Sequence, residues 1–270
     1  MMESGYRSEP MKAVLLHRTF FPGRAVALAC LVAVAACAGT PVDPTARVGH
    51  DGGNDPAEPM NRIIFEGNQW IDRNALQPVA RTYQTYVPDA ARNGLRNVSQ
   101  NLQAPAVLVN DMLQGNMGRA WITTQRFSVN STVGAAGLFD VASDWDLPMH
   151  QADFGQTLGV WGVGSGPDVQ LPLFGSSNVR DSVGTALGFF GDPVGYVPGA
   201  QVVQLSAAAA GMVDGRARML PVTEDLERNS VDYYATLRSV YAQRREVFIE
   251  EGRNGGQPTH GKAESLEFPP

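Results

Sequence analysis

The chain has 270 residues, with 21 Lys plus Arg against 27 Asp plus Glu, a formal net charge of −6, four histidines and two cysteines. An acidic balance argues against a nucleic-acid partner, whose phosphates call for a basic surface. So few histidines and cysteines exclude a disulfide framework and a His-based metal cluster.

The N-terminus carries the most direct physical signal. Lys12, Arg18 and Arg24 form a basic stretch, and Ala25 to Ala36 is an apolar run too short to span a bilayer. Val34, Ala35, Ala36 and Cys37 match a lipobox, in which the cysteine sulfur takes a diacylglyceryl group before cleavage. Residues 1–36 are therefore expected to be a lipoprotein signal peptide, opened by Met1 or Met11, with Cys37 as the lipidation site and first mature residue. Ala38 is not the Asp of inner-membrane retention, so the expected location is the outer membrane, lipid-anchored at its periplasmic face. About 234 residues then remain, with 17 Lys plus Arg against 25 Asp plus Glu, a net of about −8. Cys30 leaves with the signal peptide and Cys37 carries lipid, so no thiol is left for chemistry.

Residues 37–54, rich in Thr, Pro, Gly and Asp, read as a flexible tether, and 252–270 as a disordered tail. One domain over 55–251 is expected between them. Asp55 is placed to cap a first helix, with Pro56 in its first turn and Glu58 at the third position. Met60, Ile63, Ile64, Trp70 and Ile71 recur at helical spacing. The same pattern holds for Leu76, Val79, Ala80 and Tyr83, for Ala91, Leu95, Val98 and Leu102, and for Val107, Leu108 and Met112 before Gly115. Trp121 to Val133 continues it.

From Gly134 to Gly175 the helical period fails amid many glycines. It resumes at Val179 to Phe190 and from Val202 to Met219. A last amphipathic helix runs from Leu226 to Phe248, with Thr223 as its expected cap. The fold class is thus mainly α, with a Gly-rich irregular or hairpin segment in the middle. Amphipathic helices on an acylated chain either pack into a core or lie against lipid, and periodicity alone favours the core.

Catalytic constellations are thin. His150 with Asp153 is a possible base pair, but no GxSxG elbow occurs, and a surface-loop histidine is the expectation. Gly162, Gly164 and Gly166 suggest either turns or close backbone approach to a ligand, while Pro167 breaks a nucleotide-binding GxGxxG. Asp144 and Asp146, flanking Trp145, read as a solvated turn.

Four stretches carry a resemblance: DPAEPMN at 55–61, RNGLRN at 92–97, PAVLVNDMLQG at 105–115, and above all DFGQTLGVWGVGSGPDVQLPLFGSSNVRD at 153–181. Together they resemble the MlaA, or VacJ, family of outer-membrane lipoproteins, from Cys37 to about residue 250. Trp161 and Asp168 stand where the family often has tyrosine.

The resemblance implies a ring-like bundle of amphipathic helices in the inner leaflet, which reverses the expectation of an ordinary core. It implies removal of mislocalised phospholipid from the outer leaflet through a central channel. The partners implied are phospholipid, an outer-membrane porin trimer and a periplasmic lipid carrier, with no cofactor and no enzymatic step. Channel candidates are Gly162, Gly164, Gly166, Arg180 and Asp181, the last two able to meet a phosphate or each other. Asp144, Trp145, Asp146 and Pro148, within Ala142 to Gln151, are candidates for a gating hairpin. The alternatives are a structural porin-associated lipoprotein and a phospholipase.

Overall fold

The computed structural model describes residues 54–255. The expected signal peptide, Cys37, nearly all of the tether and most of the expected tail lie outside the described residues.

Helix α1 (Glu58–Ile71) passes through a π turn (Asp72–Leu76) into α2 (Gln77–Tyr86). Next come α3 (Asp89–Leu113), α4 (Met117–Thr132), the single turn α5 (Val141–Asp144) and α6 (Phe154–Val160). The glycine-rich middle then supplies a hairpin, β1 (Asp168–Leu171) antiparallel to β2 (Gly175–Asn178). Helices α7 (Val179–Gly191), α8 (Ala200–Asn229) and α9 (Tyr233–Arg253) complete the chain. Contacts run in a closed circuit, from α3 to α8, α2, α1, the hairpin, α9, α6 and back to α3. The fold is the expected mainly α, ring-like bundle with a central hairpin.

Several local expectations are corrected. Asp55 does not cap α1: Ala57 is the N-cap without a side-chain bond. The Asp55 carboxylate instead accepts from Tyr234 Oη at 2.5 Å and Arg238 Nη1 at 2.9 Å, partners far along the chain. Thr223 lies inside α8 and donates to Met219 O, whereas Asp232 caps α9 by accepting from Ala235 N at 3.1 Å. Two separate apolar segments around Leu102 and Val107 are one 25-residue helix that runs through Pro105, and α8 runs through Pro221 in the same way. Proline removes one helical bond, which neighbouring helices here outweigh. Helix α9 continues to Arg253, two residues into the stretch expected as tail, because Gly252 is buried against Val160, Gln114 and Gln156.

The distribution of polarity decides what the bundle is for. Its largest fully buried side chains are Gln156, Asn110, Thr157 and Asp111, and its buried hydrophobics are mostly alanines. All four tryptophans of the chain are exposed, at 57–67% of their surface. Met60 and Ile63 on α1, Phe189 on α7 and Val202 and Leu205 on α8 also face outward. In water this pattern is unfavourable, since each large apolar side chain left out forgoes about 1.5–3 kcal/mol. Against lipid the sign reverses, and exposed tryptophans suit the level of the head groups. Among the described residues no helix is long and apolar enough to cross a membrane, so these faces suit helices lying in one leaflet.

Candidate functional site

Two hollows share part of their walls. One, of about 370 Å³, lies between α3, α6, the hairpin, α7 and α9, and its wall includes Ser176, Ser177 and Thr185. The other, of about 610 Å³, lies between the 149–153 segment and α9. Asp153, Tyr241 and Arg245 belong to both walls, so these three side chains form the junction.

Local sequence explains how the junction is built. Asp153, the N-cap of α6, accepts from Gln156 N at 2.7 Å, which fixes its carboxylate at the helix start. Asn178 caps α7 by accepting from Asp181 N at 2.9 Å, placing Arg180 and Asp181 in the first turn. Gly155 and Gly184 let α6 and α7 meet backbone to backbone: a Cβ on Gly184 would lie 2.2 Å from Gly155 N, and one on Gly155 would strike Arg245 and Asp181. Arg245 reaches in from α9.

Four groups converge on the Asp181 carboxylate. Arg180 Nε donates at 2.9 Å, Asn178 Nδ2 at 2.7 Å and Tyr241 Oη at 2.7 Å, with Arg245 Nε in ionic contact at 3.0 Å. Burial works against ionisation, but the hydrogen bond from Arg180 and the charge of Arg245 hold Asp181 below the usual carboxylate range. Burial and the neighbouring Asp181 push the Tyr241 phenol up. On its other side Arg245 donates to Asp153 through Nη1 and Nη2, at 2.7 and 2.6 Å.

Of the expected channel residues, Asp181 does line a hollow, while Arg180 turns back to Asp181 and to Val163 O. Gly162 and Gly166 have φ of +91° and +68°, a turn requirement, and neither they nor Gly164 borders the two hollows. Arg245 and Gly155 also belong to the site, outside the expected channel residues. The FG of the family block is the signal for Gly155, whereas Arg245 stands in RREVFIEE, which reads as an ordinary charged helix face.

The segment 142–151 is not a hairpin. It holds the helical turn α5 and an extended run, with Asp144, Trp145 and Asp146 exposed, and the paired strands lie at 168–178 instead. His150 is not a free surface-loop residue: its Nε2 lies 2.8 Å from Asp111 Oδ2 and 3.2 Å from Thr123 Oγ1, which itself donates to the same Asp111 oxygen at 2.7 Å. A nucleophile relay needs one imidazole nitrogen on the hydroxyl and the other on the carboxylate. Here one nitrogen meets both, which makes a structural knot.

Residues 53–247 match the MlaA lipoprotein family. The chain is 35% identical over 210 residues to the intermembrane phospholipid transport system lipoprotein MlaA of Escherichia coli K12, covering 76% of this chain and 81% of that one. It is 31% identical over 207 residues to the protein of the same name in Haemophilus influenzae, covering 74% and 81%. An uncharacterized protein of Rickettsia bellii is 34% identical over 201 residues, covering 74% and 78%. A solved structure described as the structural basis for maintenance of bacterial outer membrane lipid asymmetry superposes with TM-score 0.65 at 36% identity, covering 72% of this chain and 98% of that one. With a family match over most of the described residues, relatives at 31–35% identity and a solved structure that superposes on the ring of helices, the chain belongs to the MlaA lipoprotein family.

Proposed function

We propose that this chain is the outer-membrane lipoprotein of an intermembrane phospholipid transport system, removing mislocalised phospholipid from the outer leaflet and so maintaining lipid asymmetry. The observation that carries the reading is the inversion of polarity, with apolar side chains outside and Gln156, Asn110 and Asp111 within. A charged head group crosses hydrocarbon only at a high desolvation cost. Polar groups on the walls of the hollows, Ser176, Ser177, Asp153, Asp181, Tyr241 and Arg245, lower that cost without chemistry inside a disc with apolar outer faces. The two hollows that meet at Arg245 are the proposed route.

The finer parts of the proposal are an anchor at acylated Cys37, a seat at the periplasmic face, a porin trimer beside the ring, and a soluble periplasmic carrier as receiver. The names of the Escherichia coli and Haemophilus influenzae relatives support the transport role, and the similar solved structure, tied to outer membrane lipid asymmetry, supports the place. The test is outer-leaflet phospholipid in host cells with and without the gene. A rise on deletion, reversed by the full chain, is expected. No rise would assign the protein a bracing role in the envelope instead.

A further inference from the structure

We propose that Arg244 and Arg245, consecutive on α9, form a phosphodiester site for the glycerophospholipid head group, in which phosphate replaces Asp153 on Arg245. This rests on the transport reading and names the residues that would hold its substrate.

Between residues 54 and 255 the sequence has no lysine, so every strong cation of the described fold is a guanidinium. Arg244 alone among these arginines has no carboxylate within 4.0 Å among the described residues. It is exposed, yet it lines the larger hollow together with Arg245. An unneutralised guanidinium in a concave wall is a ready anion contact, and its fork matches phosphate oxygens.

Arg245 sits deeper, with its side chain 13% exposed, and its two carboxylate partners are unequal. Asp181 is 6% exposed and fixed by Arg180, Asn178 and Tyr241, so it stays. Asp153 is 51% exposed, and its Oδ1 has a second task in capping α6. Asp153 is the more exposed of the two carboxylates and the one with fewer ties, so it is the partner that an incoming phosphate displaces. A head group entering the larger hollow meets Arg244 first and Arg245 next, at the threshold of the second hollow. The exchange conserves charge on Arg245 while the lipid moves inward.

The test uses the full acylated protein in non-ionic detergent and measures binding of dioleoylphosphatidylglycerol, dioleoylglycerol, and glycerophosphoglycerol without tails. Arg244→Gln, an exposed change that breaks no ion pair among the described residues, should weaken phosphatidylglycerol binding several-fold and leave dioleoylglycerol unchanged. Arg245→Gln should weaken it at least tenfold, with partial recovery in Arg245→Lys. Asp153→Asn keeps the helix cap, because Asn caps as well as Asp, and should strengthen phosphatidylglycerol binding by removing the competing carboxylate. A purely structural ion pair predicts the opposite sign. Unchanged or weaker binding in Asp153→Asn, or wild-type binding in Arg244→Gln, overturns the site. Glycerophosphoglycerol binding as tightly as the lipid would identify a free phosphate ester as the ligand and overturn the lipid assignment. If wild-type protein binds no phospholipid, the transport reading itself fails.

Discussion

Asn61 and Gln170 are paired as if across a sheet: Asn61 Oδ1 accepts from Gln170 N at 2.9 Å, while Asn61 Nδ2 donates to Asp168 O at 3.1 Å. Seven residues on, Asn68 repeats the arrangement, accepting from Leu173 N at 2.8 Å and donating to Leu171 O at 2.9 Å. β1 has β2 on one edge, and two asparagine side chains of α1 serve the other. An isolated two-stranded hairpin is marginal and an open strand edge invites unwanted pairing. The asparagine face of α1 removes both problems, and it turns the Met60 and Ile63 face outward.

Asn61→Ala should therefore destabilise the hairpin. It leaves the Gln170 N–H without this partner, at about 1–3 kcal/mol for an unmet buried group. For a chain of this size that lowers Tm by roughly 2–4 °C per kcal/mol. Asn68→Ala, at a less buried position, should cost less. Thermal unfolding in detergent checks both, and an Asn61→Ala Tm equal to wild type would show that β1 needs no second edge.

How much of this is legible in the sequence follows from where the partners lie. Helical periods around Met60, Val79 and Val183 are readable because repeat spacing is local. Which face points inward is not, since periodicity is the same whether the apolar side meets a core or lipid; only the family resemblance chooses. Asp55 looks like a cap because Pro56 follows it, but its carboxylate is claimed by Tyr234 and Arg238 from α9. His150 is misplaced for the same reason, as Asp111 lies 39 residues away. At the site, the RD of the last block points to Asp181, and nothing local separates Arg245 from its charged neighbours.

The polarity inversion predicts opposite responses inside and out. Ile63→Asp, at a position 64% exposed, should leave Tm nearly unchanged, within about 0.5 kcal/mol of stability. It should reduce binding of the protein to phospholipid vesicles in a flotation assay. Thr157→Val, which removes a buried hydroxyl bonded to Asn110 Oδ1 at 2.7 Å, should do the reverse. A large loss of stability in Ile63→Asp would mean that this face packs against protein.

The anchor proposed at Cys37 predicts a change in fractionation. Serine has no thiol to take the diacylglyceryl group, so Cys37→Ser should remain unprocessed or leave the outer-membrane fraction. The exposed apolar side chains, among them Met60, Ile63, Phe189, Val202 and Leu205, should still keep a lipid-free form dependent on detergent. Membrane fractionation with mass measurement of the N-terminal peptide reads both, and unaltered fractionation with no acyl mass would remove Cys37 as the anchor.

The turn before the 149–153 segment is held by Arg126 and Asn130. Arg126 Nη2 donates to both Asp140 oxygens at 2.8 and 2.9 Å, and its Nη1 donates to Ser143 Oγ at 3.2 Å and to the Leu147 carbonyl. Asn130 adds a second tie, donating to Asp140 at 2.9 Å and accepting from Ala142 N at 2.9 Å. Burial disfavours the Asp140 charge, yet its bonds to Ser143, Asn130 and Arg126 hold its carboxyl below the usual range. A depressed folded value means that this stabilisation is complete above the unfolded carboxylate value of about 3.9 and is lost as pH falls through the folded value. The segment 141–147 should accordingly be protected from amide exchange at neutral pH and loosen only in acid below about pH 4. Arg126→Met should lower the protection at neutral pH, leaving the part that Asn130 supplies, while α4 itself stays helical. Hydrogen exchange of the Ala142 and Ser143 amides measures this directly. Equal, rapid exchange in wild type and Arg126→Met at pH 7 would make the segment a freely moving flap, as expected of a gate, and would overturn the anchored turn.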